Sequence, residues 1–261
     1  PDQLNSFLKS MCGPDYRELT FEQRKHIVEV LSGGRMSDYW LGVGNNRENI
    51  VIHALQQAPE SQYAEILGLL MDERYALLKT LIRKFHNQPI GEDNFDRLID
   101  VVTVMIQKTY AYESFEQDIA DDRVLRWGSD DLFHGFEFNT NDWVNAAESE
   151  SITFSSSSLI HHYPGGGEYT GVRIESVEKT YAPLEVAPFD FVPLKLYDDI
   201  VLESGKPIIN KGNGEFQAIP AIYMYWMLER KATDETLAAI RANVNGALFM
   251  IGGAEIIAAK S

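Results

Sequence analysis

Two adjacent imidazoles, His161 and His162, stand beside Tyr163 and the run Pro164-Gly165-Gly166-Gly167. They are the residues of this chain most suited to metal or acid–base chemistry, since imidazole titrates near neutral pH and is a common metal ligand. Neighbouring residues on a strand point to opposite faces, so this pair would chelate one ion together only where the chain bends. His134, close to Asp130 and Asp131, supplies candidate further ligands for a metal-dependent hydrolase centred on His161 and His162. Nothing in the sequence brings the two places together, and a polar loop is the plainer reading. Activated nucleophiles have no motif here: Gly-x-Ser-x-Gly, the Walker loop and His-Glu-x-x-His are all missing. Cys12 precedes Gly13-Pro14, with His26 the nearest imidazole, and reads as an incidental thiol.

Carboxylates are the other abundant reactive group. Glu113 to Glu150 holds 11 acidic residues against Arg123 and Arg126, with Tyr112, Trp127 and Trp143 nearby as surfaces on which a sugar could stack. Glycoside hydrolysis needs two carboxylates held several ångströms apart in a cleft. A solvated face, or a face that meets a basic partner, is the more ordinary use of such a run. Over the whole chain 39 Asp and Glu outweigh 23 Lys and Arg in 261 residues, for a formal charge of -16. That balance excludes the basic stripe that nucleic-acid binding requires. With Cys12 the sole cysteine, a disulfide framework and a cysteine-cluster zinc site are excluded too.

The elements that would position these residues divide at about residue 112. Before it, apolar residues recur at helical spacing: Ile27, Val30 and Leu31; Ile50, Val51, Ala54 and Leu55; Ile66, Leu67 and Leu70; Leu77, Leu78, Leu81 and Ile82; Phe95, Leu98, Ile99 and Val102. Thr20 with Gln23 forms a capping-box pattern, and Gly33-Gly34, Ala58-Pro59 and Asn87 to Gly91 carry stop signals. The pattern predicts an all-α bundle over residues 1–112. Residues 113–150 read as an acidic, packed connector, with Trp127 to Asp131 as a turn. Residues 151–261 alternate in β fashion at Ser151 to Ser155 and at Tyr169 to Val177, with the glycine run closing a hairpin between them. Pro188 to Leu196 reads as an edge strand, because Pro188 and Pro193 interrupt its donors. Pro220 opens a helix over Ala221 to Leu228. The expected fold class is α+β.

Residues 40–55 run from Trp40 through Gly42, Gly44, Asn45, Asn46 and Arg47 into a helical stretch bearing Ile50, Val51 and Ala54. This resembles the opening of an annexin repeat, in which a Gly-x-Gly-Thr-Asp/Asn-Glu loop enters a helix. Gly42, Gly44 and Asn46 match, whereas Asn45 and Arg47 depart from the Thr and Glu. Leu77 to Ile82 followed by Gly91 and Phe95 resembles the later helices, so the likeness covers roughly residues 37–107. In annexins such a loop offers backbone carbonyls to calcium, with a later acidic residue capping the ion. The resemblance therefore implies a calcium site at Gly42 and Gly44, but the capping position falls on Leu81, which has no ligand atom. A glycine-rich helix entry whose amides meet water is the preferred reading. No organic cofactor and no catalytic residue is expected.

Such annexin-like units resemble those found ahead of toxin domains in bacterial polymorphic toxins and in the cargo of contractile injection systems. Ala187 to Pro193 and Ile219 to Tyr223 resemble the region that follows them. The implied role is a non-catalytic structural or delivery module of a larger protein, held in the bacterial cytoplasm before export, then secreted or injected. Its partners would be proteins of the secretion or injection machine. A chain that opens on Pro1 and ends inside a helical pattern reads as part of something longer. A rival reading is membrane contact and pore formation, through the small-residue apolar run Asn243 to Ala259. Asn245 and Glu255 interrupt that run, which makes a buried packing helix the better reading.

Overall fold

A computed structural model describes residues 4, 7–8, 13–33, 47–85, 94–113, 115–121, 123–131, 134–162, 175–196, 200–201, 207–209 and 215–231. The chain is α+β and divides into two compact units. The helical unit draws its described residues from Pro1–Ala111 and Asp142–Glu150, and the sheet unit from Tyr112–Asn141 and Ser151–Glu235.

In the helical unit, α1 is Gly13–Arg17, α2 Phe21–Ser32, α3 Arg47–Gln56, α4 Tyr63–Phe85 and α5 Asn94–Thr109, with a short 3-10 turn at Glu60–Gln62 before α4. The capping box at the start of α2 forms as expected. Thr20 Oγ1 accepts from the Gln23 amide at 3.3 Å, and Gln23 Oε1 accepts from the Thr20 amide at 2.9 Å. At the other end the Gly33 amide donates to the Glu29 carbonyl at 3.1 Å. Most of the expected apolar positions are buried: Ile27 and Leu31 on α2, Ile50, Val51, Ala54 and Leu55 on α3, Leu98, Ile99 and Val102 on α5. Val30 and Leu77 are only half-buried, and on α2 Val28 is buried where Val30 was expected.

One feature of this unit has no signal in the sequence. Within α4, Asp72 is extended, and Glu73, Arg74 and Tyr75 follow at φ 47°, 59° and 63°, a complete left-handed turn between two right-handed stretches. None of the three is a glycine, so each costs roughly 1–2 kcal/mol. Tyr75 is buried and meets Trp143 edge-on at 5.8 Å between ring centroids. Ile66, Leu67 and Leu70 before the turn and Leu78, Leu81 and Ile82 after it are all buried. At roughly 1.5–3 kcal/mol per buried side chain, that burial outweighs the strain.

In the sheet unit, α6 is Phe115–Ala120 and α7 Ala221–Lys231. The strands are β1 Leu125–Asp131, β2 His134–Thr140, β3 Ile152–His162, β4 Glu175–Thr180, β5 Leu184–Val186, β6 Phe191–Leu196, β7 Ile200–Val201, β8 Pro207–Ile209 and β9 Glu215–Pro220. The main sheet runs β4-β3-β2-β1-β6-β9, with β5 pairing β3, and β7 and β8 form a separate ribbon. All pairs are antiparallel except β1 with β6.

Three expectations are corrected here. Trp127 to Asp131 is not a turn but the greater part of β1, whose last residue, Asp131, pairs with His134. His161 and His162 lie not in a loop but in β3, paired with Ser176 and Glu175. The segment read as an edge strand is interior: β6 has β1 on one side and β9 on the other. Pro193 is tolerated because the parallel ladder with β1 spans Leu194 to Leu196 and begins just after it.

Pro220 ends β9 opposite Phe191, and α7 starts at once. Its first two amides are satisfied from the β5–β6 connection: Ala221 donates to the Asp190 carbonyl and Ile222 to the Pro188 carbonyl, both at 2.8 Å. Ala221 through Met227 are all buried, a helix enclosed on every side. No helix among the described residues is long and apolar enough to cross a membrane, and the run Asn243 to Ala259 lies outside them.

Candidate functional site

Strand pairing gives the histidines definite addresses. His134 stands at the first position of β2, opposite Ile160 and paired with Asp131 across the hairpin. Because Ile160 and His162 are two apart on β3, His134 and His162 occupy diagonal register positions, while His161 alternates out of that row. The structure thus associates His134 with Asp131 and His162, a grouping that the sequence left open. Among the described residues, no group of three or more His, Cys, Asp and Glu side chains could hold a metal ion. Gly42 and Gly44 lie outside the described residues, as does Cys12, and His26 is exposed on α2. Leu81, at the capping position of the annexin-like pattern, is completely buried.

Two of the three aromatics offered as sugar-stacking surfaces in the acidic run are committed to packing, and the side chain of the third, Trp127, lies outside the described residues. Trp143 is 0% exposed, packed against Tyr75 and beneath the Lys79 ammonium, which sits 5.0 Å from its ring centroid. Tyr112 is stacked on Phe191 at 5.7 Å and donates its hydroxyl to Asp118 Oδ2 at 2.7 Å. Both rings are taken up by the packing of their own units.

Polar chemistry concentrates instead inside the helical unit, on residues that the sequence pattern passes over. The first turns of α3 and α5 are tied side chain to side chain: Asn94 Nδ2 donates to Glu48 Oε2 at 2.6 Å, and the Arg97 guanidinium donates to Asn49 Oδ1 and, at 3.2 Å, to Asn94 Oδ1. Glu48 and Asp96 are buried in these first turns, where the helix dipole favours negative charge. One turn further along α5 comes Asp100. Burial and the adjacent Asp96 charge push its carboxyl up to about 8, so it holds a proton at neutral pH. Asp96, Asp100, Thr103 and Gln107 recur at helical spacing as a polar stripe beside the apolar face of α5. That periodicity was present in the sequence, where attention to apolar residues alone hid it.

Two buried cations serve a different end. Arg24 is 1% exposed, and its guanidinium reaches the end of α1 through the Tyr16 and Arg17 carbonyls at 2.6 and 3.3 Å. It also reaches the end of α3 through the carbonyls of Ala54 and, at 3.2 Å, Gln57, and the Gln62 side chain at 2.7 Å. A single cation therefore satisfies the last carbonyls of two helices. Lys79, 2% exposed, donates to the Ala146 and Ser149 carbonyls at 2.7 and 2.6 Å and so fixes the Asp142–Glu150 segment to α4. Burial, with Arg83 adding to it, holds the Lys79 ammonium below its ordinary range. Lys84 treats the end of α2 alike, donating to the Ser32 carbonyl.

No protein-family model, curated protein or solved structure matches this chain.

Proposed function

We propose that this chain is a non-catalytic structural module, of the kind that carries or delivers a larger secreted or injected bacterial toxin-like protein. The observation that favours this reading is the use made of buried charge. Arg24 and Lys79 lie in the interior and direct their donors at main-chain carbonyls, so their charge holds helix ends and a loop in place. A scaffold needs such rigidity, and a group committed to holding carbonyls is not free to exchange protons with a substrate. The annexin-like pattern around Gly42 and Gly44 points to the same class of module.

The test is the mass of the protein in the cells that make it, read by an antibody against this chain together with flotation on liposomes with and without calcium. A species far heavier than 29.5 kDa that stays off the liposomes in both conditions supports a carrier module. A species of that mass alone refutes it. Calcium-dependent flotation favours the membrane-inserting alternative. Metal that copurifies and is lost when His134, His161 and His162 are replaced by alanine favours the hydrolase.

A further inference from the structure

The left-handed turn inside α4 is strained in one copy of the chain and need not be strained in two. Glu73, Arg74 and Tyr75 hold φ of 47°, 59° and 63°. The Glu73 amide donates at 3.0 Å to the Asp72 carboxylate, where an unbroken helix would supply the Leu69 carbonyl. Asp72 to Tyr75 includes neither glycine nor proline, and Glu and Arg are strong helix formers. The halves of α4 are also in phase for an unbroken helix. Leu67 precedes Leu78, and Leu70 precedes Leu81, by about three turns, and all four are 0% exposed. Yet one copy cannot straighten α4 and keep its core. Arg24 bonds Gln62, just before α4, while Lys84, near its end, bonds the Ser32 carbonyl. Arg24 and Ser32 stand about 12 Å apart along α2, whereas a straight α4 would separate Gln62 from Lys84 by about 33 Å.

We propose that two copies of this chain exchange halves of the helical unit across Asp72 to Tyr75, with α4 continuous in each. The part from α1 to the first half of α4 in one copy then packs on the second half of α4 and α5 of the other. The exchange keeps the core, because contacts within one bundle are remade between copies by the same residues. α2 still meets α4 and α3 meets α5, with Lys84 on Ser32, Asn94 on Glu48 and Arg97 on Asn49. Bonds on one side of the hinge, Arg24 to Gln62 and Lys79 to Ala146 and Ser149, stay within their own copy. What changes is the hinge: three left-handed residues are relieved in each copy and helical hydrogen bonds are gained, against the entropy of association. Short hinges under strain invite such exchange. The contacts that oppose it are Tyr75 against Trp143 and the bonds of Arg74 to Glu148 and Glu150, which are exposed and weak. The proposal does not depend on the chain's role as a carrier.

The experiment is refolding of the full chain from urea over a range of concentrations, with mass read by size-exclusion chromatography and light scattering. A dimer of twice 29.5 kDa is expected, in a share that grows with concentration. Chains carrying Asn49→Cys or Arg97→Cys, each with Cys12→Ser and each first checked for native circular dichroism, are then refolded together and treated with a short bis-maleimide. Asn49 and Arg97 are bonded across the exchanged boundary, so exchange joins one variant to the other, whereas a dimer built on outer surfaces leaves the mixed pair unlinked. Glu73→Gly eases the left-handed turn and weakens the straight helix, at two hinges per dimer. It should therefore raise the dimer Kd at least about 30-fold. A chain that stays monomeric at every concentration overturns the proposal. So does a dimer whose mixed variants fail to cross-link, or whose Kd Glu73→Gly leaves unchanged.

Discussion

Replacing Arg24 by methionine removes the guanidinium while keeping most of the stem that packs between α1, α2 and α3. The side chain donates to five acceptors, of which the Tyr16 and Ala54 carbonyls are bonded in fully buried surroundings and the other three are partly accessible to water. Water can replace the donor at the accessible three. The two buried carbonyls lose theirs, at roughly 1–3 kcal/mol each. Relief of guanidinium desolvation offsets part of the loss, and Coulomb attraction to two helix C-termini adds to it at about 0.3–1 kcal/mol each. The expected destabilisation is about 4 kcal/mol, within the range for breaking a buried charged network. Arg24→Lys should cost about half as much, since an ammonium offers three donors and cannot span the same acceptors. Urea unfolding followed at a helix-sensitive wavelength measures both. With a slope of about 3 kcal/mol/M, the midpoint should move by more than 1 M for methionine. A shift worth less than about 1 kcal/mol would refute the argument that Arg24 secures these helix ends.

Other perturbations follow from the same contacts. Asp100 is raised from 3.8 to about 8, so the folded state keeps a proton that the unfolded chain releases. Stability should therefore fall as pH rises through that window and level off above it, by at most about 6 kcal/mol. Asp100→Asn should abolish this dependence, and equal unfolding free energies from urea titrations at pH 5 and pH 9 would contradict it. Glu73→Gly should stabilise by about 1 kcal/mol, because glycine adopts the positive φ of 47° without penalty; a lowered melting temperature would argue against the left-handed turn. Thr20→Ala should cost about 1 kcal/mol by removing the capping box of α2. Arg74→Ala should cost under about 1 kcal/mol despite its bonds to Glu148 and Glu150, because all three side chains are exposed.

Local signals alone determined a good part of this protein. Helix limits at Thr20 and Gly33, the buried stripes of α2, α3 and α5, the strand at Ile152 and the start of α7 after Pro220 rest on contacts within a few residues. Periodicity, capping and proline geometry express such contacts directly. Partners distant in sequence decided the rest. Pro193 suggests an edge until the parallel ladder with β1 is known to begin at Leu194, 69 residues from its partner Leu125. Glu73 to Tyr75 are ordinary helix residues, turned left-handed by the burial of apolar side chains on both sides. Arg24, Lys79 and Asp96 look like solvated charges in any window of sequence. Carbonyls 30 residues away for Arg24, and 67 and 70 away for Lys79, make two of them interior. A charged side chain has no intrinsic depth: its burial depends on which distant groups arrive to satisfy it, and only the tertiary structure brings them.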